Sequence, residues 1–255
     1  MHEVDPGVEP WVVVLDFKSM YPSIMISNNI CSTTLVRDDG EDETHSVSPT
    51  TGTRYLSKED RLGLVPQLLD GLMKSRDGHK AALKKANEEG DEEEAFLQDQ
   101  LQYAVKILMN SFYGVFASNF YRFTHPSLGA SITEWARHNI KSIISKVEEE
   151  GHSVVYSDTD SIFVRAPIDE DSPKNMPNDS EDLEKWEEAM GTSMEFGESL
   201  ADRFTKEGAE LEFETALSSF FSHGAKKRYV GRVVWPREEM LIRGYEVRRT
   251  DSFQI

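Results

Sequence analysis

The chain has 255 residues, of which 38% are hydrophobic and 10% aromatic, and it carries a single cysteine. This composition excludes a disordered chain, an intramolecular disulfide framework and a zinc site built on several cysteines. The formal net charge of −18 argues, as an average over the chain, against nucleic-acid binding, because domains that bind phosphate backbones are usually basic. No apolar run approaches the roughly 18 residues that a membrane span needs, so we expect a cytoplasmic protein with no membrane segment.

Charge is distributed unevenly along the sequence. Residues 169–214 contain 16 acidic and 4 basic side chains, a net charge of −12, whereas residues 226–249 contain 8 basic and 3 acidic side chains, a net charge of +5. A charged stretch is most often a solvated face. The basic stretch is nevertheless the place where the sequence favours an anionic partner, and it weakens the argument from the average charge.

The first predicted element is a buried strand at 11–15, where apolar and β-branched residues run without a break. The strand ends at Asp16, and Pro22 suits the first turn of a helix that follows. Residues 37–54 are polar and contain several turn-forming residues, so they are predicted to form a loop or a hairpin.

Two long helices are predicted next, at 62–83 and 95–117, with an acidic turn at 87–94 between them. Apolar residues recur at helical spacing in both helices, which predicts an antiparallel helical hairpin. In the first helix Arg76 and Lys80 continue the apolar row. They are either ordinary surface cations or ligands for an anion.

The second of these helices has two predicted faces. Its predicted packing stripe consists of Leu97, Leu101, Ala104, Val105, Leu108 and Phe112. Lys106, Asn110 and Tyr113 lie roughly 150° away from that stripe, at about 100° per residue. A solvated face accounts for a cation and an amide, but a phenol followed at once by Gly114 favours a face that binds a phosphate, a base and a sugar.

The second half of the chain is predicted to contain a helix at 127–150, a polar linker at 167–182 and an amphipathic helix at 183–204. The segment from residue 211 onward has the composition of strands.

Three aspartates fall at predicted strand ends. Asp16 closes the first strand, and Asp158 and Asp160 lie in the middle of a predicted pair of short strands at 153–164. Aspartate favours turns for structural reasons alone. Crowded carboxylates also repel one another, and Mg²⁺, which is typically held by one or two carboxylates plus substrate phosphates, relieves that repulsion. Both interpretations stay open at this point.

Five short segments stand out by their order along the chain. They are DFKSMYPSI at 16–24, KILMNSFYG at 106–114, YSDTDS at 156–161, KKRY at 226–229 and GYEVRR at 244–249. In this order they resemble the three polymerase motifs, the basic segment near the primer end and the segment leading into the thumb of the family B DNA polymerases, especially archaeal members. A lone DTD is weak evidence, whereas five ordered segments that span most of the chain make a specific resemblance.

The resemblance implies an α+β fold, with a palm domain whose central, mostly antiparallel sheet is flanked by helices. It also implies an inserted fingers domain of two antiparallel helices, with which the predicted helical hairpin agrees. The expected boundaries are palm at 1–56, fingers at 57–118 and palm again at 119–255. Exonuclease and thumb domains are not expected in this chain, so we expect a fragment or one subunit of a split polymerase.

The resemblance further implies transfer of a nucleotide from a dNTP to the 3′-hydroxyl of a primer–template DNA. Two Mg²⁺ ions per site, which Mn²⁺ can replace, would assist that reaction. The implied catalytic and metal-binding side chains are Asp16, Asp158 and Asp160, and the backbone carbonyl of Phe17 is a further implied metal ligand. Glu214 falls where the family often has an acidic residue near the metals, although a packing role explains it equally well.

The remaining site residues also come from the resemblance. The implied nucleotide-binding residues are Ser19, Met20, Tyr21, Arg76, Lys80, Lys106, Asn110 and Tyr113. Tyr21 would lie under the sugar and exclude a ribose 2′-hydroxyl by steric clash. The implied DNA-binding residues are Gly114, Lys226, Lys227, Arg228, Tyr229, Arg248 and Arg249. All of these except Gly114 lie in the +5 stretch, so the average charge of −18 misrepresents the part of the chain that would face DNA.

Alternatives remain. The chain could be a non-catalytic subunit or fragment that needs a second polymerase chain, which would supply the exonuclease and thumb domains and a link to a sliding clamp. A cyclase on a similar palm is the other enzymatic alternative, but Tyr21 and the second motif argue against it. A plain acidic interaction protein leaves the five ordered segments unexplained.

Overall fold

The computed structural model describes residues 6–37, 46–118, 120–122, 124–177, 180–206 and 208–245. Its elements are β1 (Gly7–Phe17), α1 (Met20–Ser27), β2 (Ser46–Val47), β3 (Arg54–Tyr55), α2 (Leu64–Glu89), α3 (Glu92–Phe116), α4 (Pro126–Glu149), β4 (Val154–Asp158), β5 (Ser161–Arg165), α5 (Ser180–Phe204), β6 (Leu211–Ser222), β7 (Tyr229–Trp235) and β8 (Glu239–Arg243). This mixture of helices and antiparallel strands confirms the predicted α+β class.

The chain forms two compact units. Among the described residues, the first contains those up to Lys18, those within 140–206 and those from Glu210 on, and the second contains those within 19–139 and 208–209. The palm and fingers boundaries expected at 57 and 118 stay predictions. No helix in the described part of the chain is both long and apolar enough to cross a membrane.

The first unit is built on a six-stranded antiparallel sheet with the strand order β4–β5–β1–β6–β7–β8. β1 lies inside this sheet, between β5 and β6, and its residues Trp11–Leu15 are at most 3% exposed. A strand that is buried on both faces consists of a continuous run of apolar residues, and this run is the pattern from which the sequence predicted β1. The observed strand is longer than predicted and includes Asp16.

One face of the sheet carries a largely aromatic core. It consists of Val12, Val14, Tyr156, Phe163, Leu217, Phe220, Tyr229 and Val233. Because alternate residues of a strand share a face, Asp16 continues the row of Val12 and Val14 at the end of β1. The apolar core therefore ends at a carboxylate.

Helix α5 packs against β1 and β6 of the same unit. At Gly197 an added Cβ would overlap the ring of Phe213, so this close approach of helix and strand requires glycine. Phe213 also stacks on Trp235, with ring centroids 4.7 Å apart. The predicted amphipathic helix is confirmed, and it begins three residues earlier, at Ser180.

The second unit contains the helical hairpin of α2 and α3, which pack against each other. Only Gly90, with φ +73°, and Asp91 separate the two helices. The Asp91 side chain caps α3 by accepting a hydrogen bond of 3.0 Å from the N–H of Glu94. The predicted hairpin is confirmed, but the predicted turn at 87–94 is too long, because its glutamates are good helix formers and extend both helices.

The packing face predicted for α3 is wrong. Leu97, Leu101 and Leu108 are 48%, 37% and 48% exposed, whereas Met109 and Phe116 are buried. The helix is apolar on more than one side, so the spacing of its leucines did not determine which side meets a partner.

The β2–β3 hairpin of the second unit confirms the expectation for 37–54 in its described part, which excludes 38–45. Glu134 of α4 is buried against the hairpin loop. Its carboxylate accepts hydrogen bonds from the Ser48 hydroxyl and from the Thr51 N–H and hydroxyl, the last two at 3.2 and 3.1 Å. Burial raises the pKa of Glu134, but these hydrogen bonds outweigh burial and leave the pKa below its ordinary value.

Candidate active site

The three predicted carboxylates lie at one end of the strands of the six-stranded sheet. Asp16 is the next-to-last residue of β1, Asp158 ends β4, and Asp160 lies in the two-residue turn before β5. The turn is tight, because the N–H of Asp160 donates a hydrogen bond of 2.7 Å to the carbonyl of Asp158, and Thr159 has φ +56°. The predicted placement of the aspartate pair at a hairpin tip is confirmed.

Two hydrogen bonds fix the end of β1 against that turn. The Ser161 hydroxyl donates to Asp16 Oδ1 at 2.8 Å, across a sequence separation of 145 residues. The N–H of Phe17 donates to the carbonyl of Asp160 at 3.0 Å. Ser161 was not among the predicted site residues, although its place in the YSDTDS segment was a signal. The backbone of Phe17 and the carboxylate of Asp16 are therefore held in register with the turn.

The carboxylates line an open cleft of about 420 Å³ within the first unit. Its charged lining residues are Asp16, Asp158, Asp160, Glu214, Lys227, Glu239 and Arg243. Glu239 and Arg243 belong to β8 and carried no signal in the sequence. A cleft that combines several carboxylates with a few cations can accept a divalent cation together with phosphate groups.

Lys227 faces the carboxylate hairpin from the β6–β7 connection. Its Nζ lies 3.8 Å from Asp158 Oδ1, and its backbone has φ +60°, which is uncommon for a residue with a side chain. The N–H of Lys227 donates a hydrogen bond of 2.8 Å to Tyr156 Oη. At Gly244 an added Cβ would overlap the carbonyl oxygen of Lys227, so glycine is required there. The unusual backbone of Lys227 is thus supported from two sides.

Tyr229 follows at the start of β7 and is buried in the aromatic core. Burial, together with the negative charge of Asp158, raises the pKa of Tyr229 to about 12. Burial also raises the pKa of Tyr156. Lys226 and Arg228, the other basic residues of this predicted DNA-binding segment, are exposed. Arg248 and Arg249 lie outside the described residues.

The predicted nucleotide-binding residues lie in the second unit. Ser19 is the N-cap of α1 with φ +47°, Met20 is buried, and Tyr21 is half-buried. The rings of Tyr21 on α1 and Tyr113 on α3 are in contact, with centroids 4.4 Å apart at 35°. The structure therefore brings two residues from different predicted motifs together.

Arg76 is buried, at 9% exposure, and is not a surface cation of α2. Its guanidinium donates hydrogen bonds of 3.3 Å to the Ser19 hydroxyl and to Gln102 Oε1. Gln102 lies on α3 and was missed, because a glutamine in a helix has no functional signal of its own. Lys80, one turn further along α2, is half-buried.

The other predicted residues of α3 are Lys106, Asn110 and Gly114, and all three are exposed. They follow one another at intervals of four residues, which places them along one side of the helix. Tyr113 lies beside this side and is half-buried by its contact with Tyr21.

The chemistry of the cleft fits a hard divalent cation. Asp16, Asp158 and Asp160 supply carboxylate oxygens, which Mg²⁺ prefers, and the described residues that line the cleft include no cysteine or histidine. Among the described residues, no group of three or more acidic, histidine or cysteine side chains is close enough to hold a metal by itself. Mg²⁺ usually takes one or two carboxylates plus substrate phosphates, so this donor set suits an ion that arrives with a phosphate-bearing ligand.

Comparison with known proteins gives one consistent result. The family model for DNA polymerase family B matches residues 8–255. The chain is 32% identical over 99% of its length to a DNA polymerase of Thermococcus gorgonarius, and 31% identical over 94% of its length to the DNA polymerase delta catalytic subunit of Schizosaccharomyces pombe. It spans 30% and 22% of those two proteins.

The fold is also similar to a solved structure. The family B DNA polymerase from Pyrobaculum calidifontis matches 96% of this chain with a TM-score of 0.66 and 26% sequence identity. The match covers 28% of that polymerase chain. The similarity therefore extends over nearly the whole of this chain and over a minor part of the polymerases that it resembles.

Proposed function

Because this chain belongs to DNA polymerase family B, we propose that it forms the palm and fingers portion of a DNA-directed DNA polymerase. It would transfer a nucleotide from a dNTP to the 3′-hydroxyl of a primer paired to a template. The observation that carries the proposal is the cleft of the first unit, where three aspartates at one end of the strands lie beside a lysine.

The carboxylates are the proposed metal ligands, with Asp16 and Asp160 as the main pair and Asp158 and the carbonyl of Phe17 as further donors. When bound, two Mg²⁺ ions, or Mn²⁺ in their place, would stabilise the attacking and leaving oxygens of the transfer. The Ser161 hydroxyl orients the Asp16 carboxylate through its hydrogen bond of 2.8 Å. The bond from Phe17 N–H to Asp160 holds the two donor segments in register before any substrate arrives.

Cations of the second unit are the proposed triphosphate ligands. Arg76 offers a planar guanidinium, which suits phosphate oxygens, and its hydrogen bonds to Ser19 and Gln102 order that side chain in advance. Lys80 and Lys106 would add positive charge on α2 and α3. Ordering a long side chain before binding reduces the entropy lost when the nucleotide binds.

The contact between Tyr21 and Tyr113 is the proposed basis of sugar selection. Tyr113 packs against Tyr21 at 4.4 Å, which restricts the movement of the Tyr21 ring. A ring held in this way can reject a 2′-hydroxyl by steric clash, since it cannot move aside at low cost. Asn110 and Met20 would line the same nucleotide pocket.

The basic β6–β7 connection is the proposed contact with primer–template DNA. Lys226, Lys227 and Arg228 are consecutive and exposed, and Tyr229 anchors them to the core. Such contacts to phosphates position a duplex without reading its sequence, and they weaken as salt rises. Gly114, Arg248 and Arg249 are proposed to add to this contact.

Primer extension tests the proposal. The chain is assayed with Mg²⁺ and dNTPs, alone and together with a second chain that supplies the thumb and exonuclease portions of a family B polymerase. Asp160→Asn removes a proposed metal ligand and should reduce extension by more than about 100-fold. Asp169→Asn is the matched control, because Asp169 is exposed and lies outside the cleft. Extension by Asp160→Asn at the wild-type rate contradicts the proposal, whereas extension only in the presence of the second chain identifies a subunit that needs its partner.

A further inference from the structure

Asn29 is a buried polar residue at the end of α1, with 1% of its surface exposed. Asn28 is the C-cap of α1, and Asn29 follows in the left-handed region with φ +52°. Asparagine tolerates this conformation better than most residues. The side chain of Asn29 bonds to residues 56–63, which lead from the β2–β3 hairpin into α2.

The Asn29 amide forms hydrogen bonds with both ends of the segment 56–63, which leads into α2. Its Nδ2 donates hydrogen bonds of 2.7 and 2.8 Å to the carbonyls of Leu56 and Arg61. Its Oδ1 accepts a hydrogen bond of 2.8 Å from the N–H of Gly63. Nδ2 also lies 3.3 Å from the carbonyl of Ser57. Because carbonyls only accept and an N–H only donates, this orientation of the amide is the one that satisfies all four partners.

Gly63 connects this network directly to the first turn of α2. An added Cβ at Gly63 would lie 3.0 Å from Asn29 Oδ1, Cys31 Cβ and Pro66 Cδ, which is a closer approach than a side chain normally makes. The carbonyl of Gly63 accepts a hydrogen bond of 3.0 Å from the N–H of Gln67, within the first turn. The first turn of α2 is therefore connected through Gly63 to the side chain of Asn29.

A small movement at this point is magnified further along α2. Arg76 lies about 20 Å along the helix from Gly63, so a rotation of about 3° at Gly63 displaces it by about 1 Å. A displacement of about 1 Å in a binding site can cost about 100-fold in rate. Asn29 also directly follows the C-cap of the helix that carries Tyr21, so one side chain links the two helices on which these proposed nucleotide ligands lie.

We infer that Asn29 is a positioning residue for nucleotide binding. It fixes the start of α2 against the end of α1, so that Arg76 and Lys80 reach the triphosphate of a nucleotide whose sugar lies on Tyr21. Asn29 contacts no substrate and acts through Gly63. This inference rests on the proposed function, and its test includes a measurement that does not depend on that function.

Three variants of the full chain test the inference. Asn29→Gly keeps the left-handed backbone and removes the amide, and Gly63→Ala keeps the amide but pushes against it. Asn28→Ala is the matched control, since the Asn28 amide bonds to Ile24 and Ser27 of its own helix and to the Ser46 hydroxyl, all of which lie outside residues 56–63. Binding of a dNTP to the complex with Mg²⁺ and a 3′-dideoxy primer–template is measured, together with the affinity for that DNA. Hydrogen exchange of the backbone N–H groups within 64–68, where every residue except Pro66 has one, reports the start of α2 directly.

The expected result is a rise of about tenfold or more in the dNTP dissociation constant for Asn29→Gly and Gly63→Ala, because Arg76 is displaced. DNA affinity should stay within about twofold, exchange at 64–68 should become faster, and Asn28→Ala should behave as wild type in all three measurements. Unchanged dNTP binding in both variants overturns the inference. A wild-type chain that binds no dNTP, either alone or with the second chain, overturns the proposed function instead, and exchange at 64–68 then still tests whether Asn29 holds α2.

Discussion

Replacing Tyr156 by phenylalanine tests how the carboxylate hairpin and the basic segment depend on each other. Tyr156 is 2% exposed, and its hydroxyl is the acceptor for the N–H of Lys227 at 2.8 Å. The substitution removes one oxygen and leaves the ring in the aromatic core. It therefore changes one hydrogen bond and little else in the packing.

The magnitude follows from the two terms at Lys227. A hydrogen bond of this kind contributes about 1 kcal/mol net, and a left-handed conformation at a residue with a side chain costs about 1–2 kcal/mol. Without the Tyr156 hydroxyl, the backbone of Lys227 has less to hold it at φ +60° and relaxes. The free energy of unfolding should fall by no more than about 1 kcal/mol, because the relaxed backbone strain offsets part of the lost hydrogen bond, and Tm should fall by at most about 2–4 °C in a chain of this size.

The functional consequence is measured by titrating labelled primer–template DNA over a series of salt concentrations. If Lys227 no longer reaches a phosphate, the dissociation constant should rise by about tenfold, and the slope of log K against log salt should fall by about 0.9. Tyr55→Phe is the control, because Tyr55 is equally buried and donates a hydrogen bond of 2.9 Å to Ser131 in the other unit. A Tyr156→Phe variant with the salt slope of Tyr55→Phe would refute the reasoning.

Three further predictions follow from contacts within the two units. Tyr21→Ala should weaken discrimination against ribonucleotides by about tenfold or more, measured as the ratio of kcat/KM values, and unchanged discrimination counts against the steric role. Burial raises the pKa of Tyr55 from 10.0 to about 12, so its share of stability is complete below pH 10 and is lost as pH rises to about 12; alkaline denaturation of Tyr55→Phe should lack this loss. The pKa of Glu134 is lowered in the folded chain, so stability is lost as pH falls below 4.5, and Glu134→Gln should flatten that acid limb in urea denaturation.

The sequence predicted best what depends on neighbours in the chain. The apolar run at 11–15, the helical hairpin and the tight turn at Asp158 and Asp160 are local patterns, and all are confirmed. The predicted helix boundaries were less accurate. The Asp91 side chain caps α3, so the helix begins before the predicted residue 95 and the turn that precedes it is shorter than predicted.

What the sequence did not predict depends on residues far apart along the chain. Ser161 orients Asp16 across 145 residues, and Glu134 holds Ser48 across 86 residues. Asn29 reaches Gly63 across 34 residues. A serine, a glutamate or an asparagine has many ordinary uses in isolation, so its partner has to be known before its role is visible. The exposed leucines of α3 show the converse, since an apolar stripe becomes a packing face only when a partner covers it.

The position of β1 inside the sheet has a consequence for how the protein is made. Its partner β6 ends at Ser222, so at about 5–20 residues per second roughly 10–40 s of synthesis separate the emergence of β1 from that of its last partner. During that interval Trp11–Leu15 is an uncharged, β-branched segment with the features of an aggregation-prone peptide. Pro10 and Asp16 flank it, and a proline or a charge at such a flank opposes pairing with other chains. We therefore expect Asp16 to oppose aggregation of the nascent chain as well as to shape the cleft, and replacing it with alanine should lower the soluble yield.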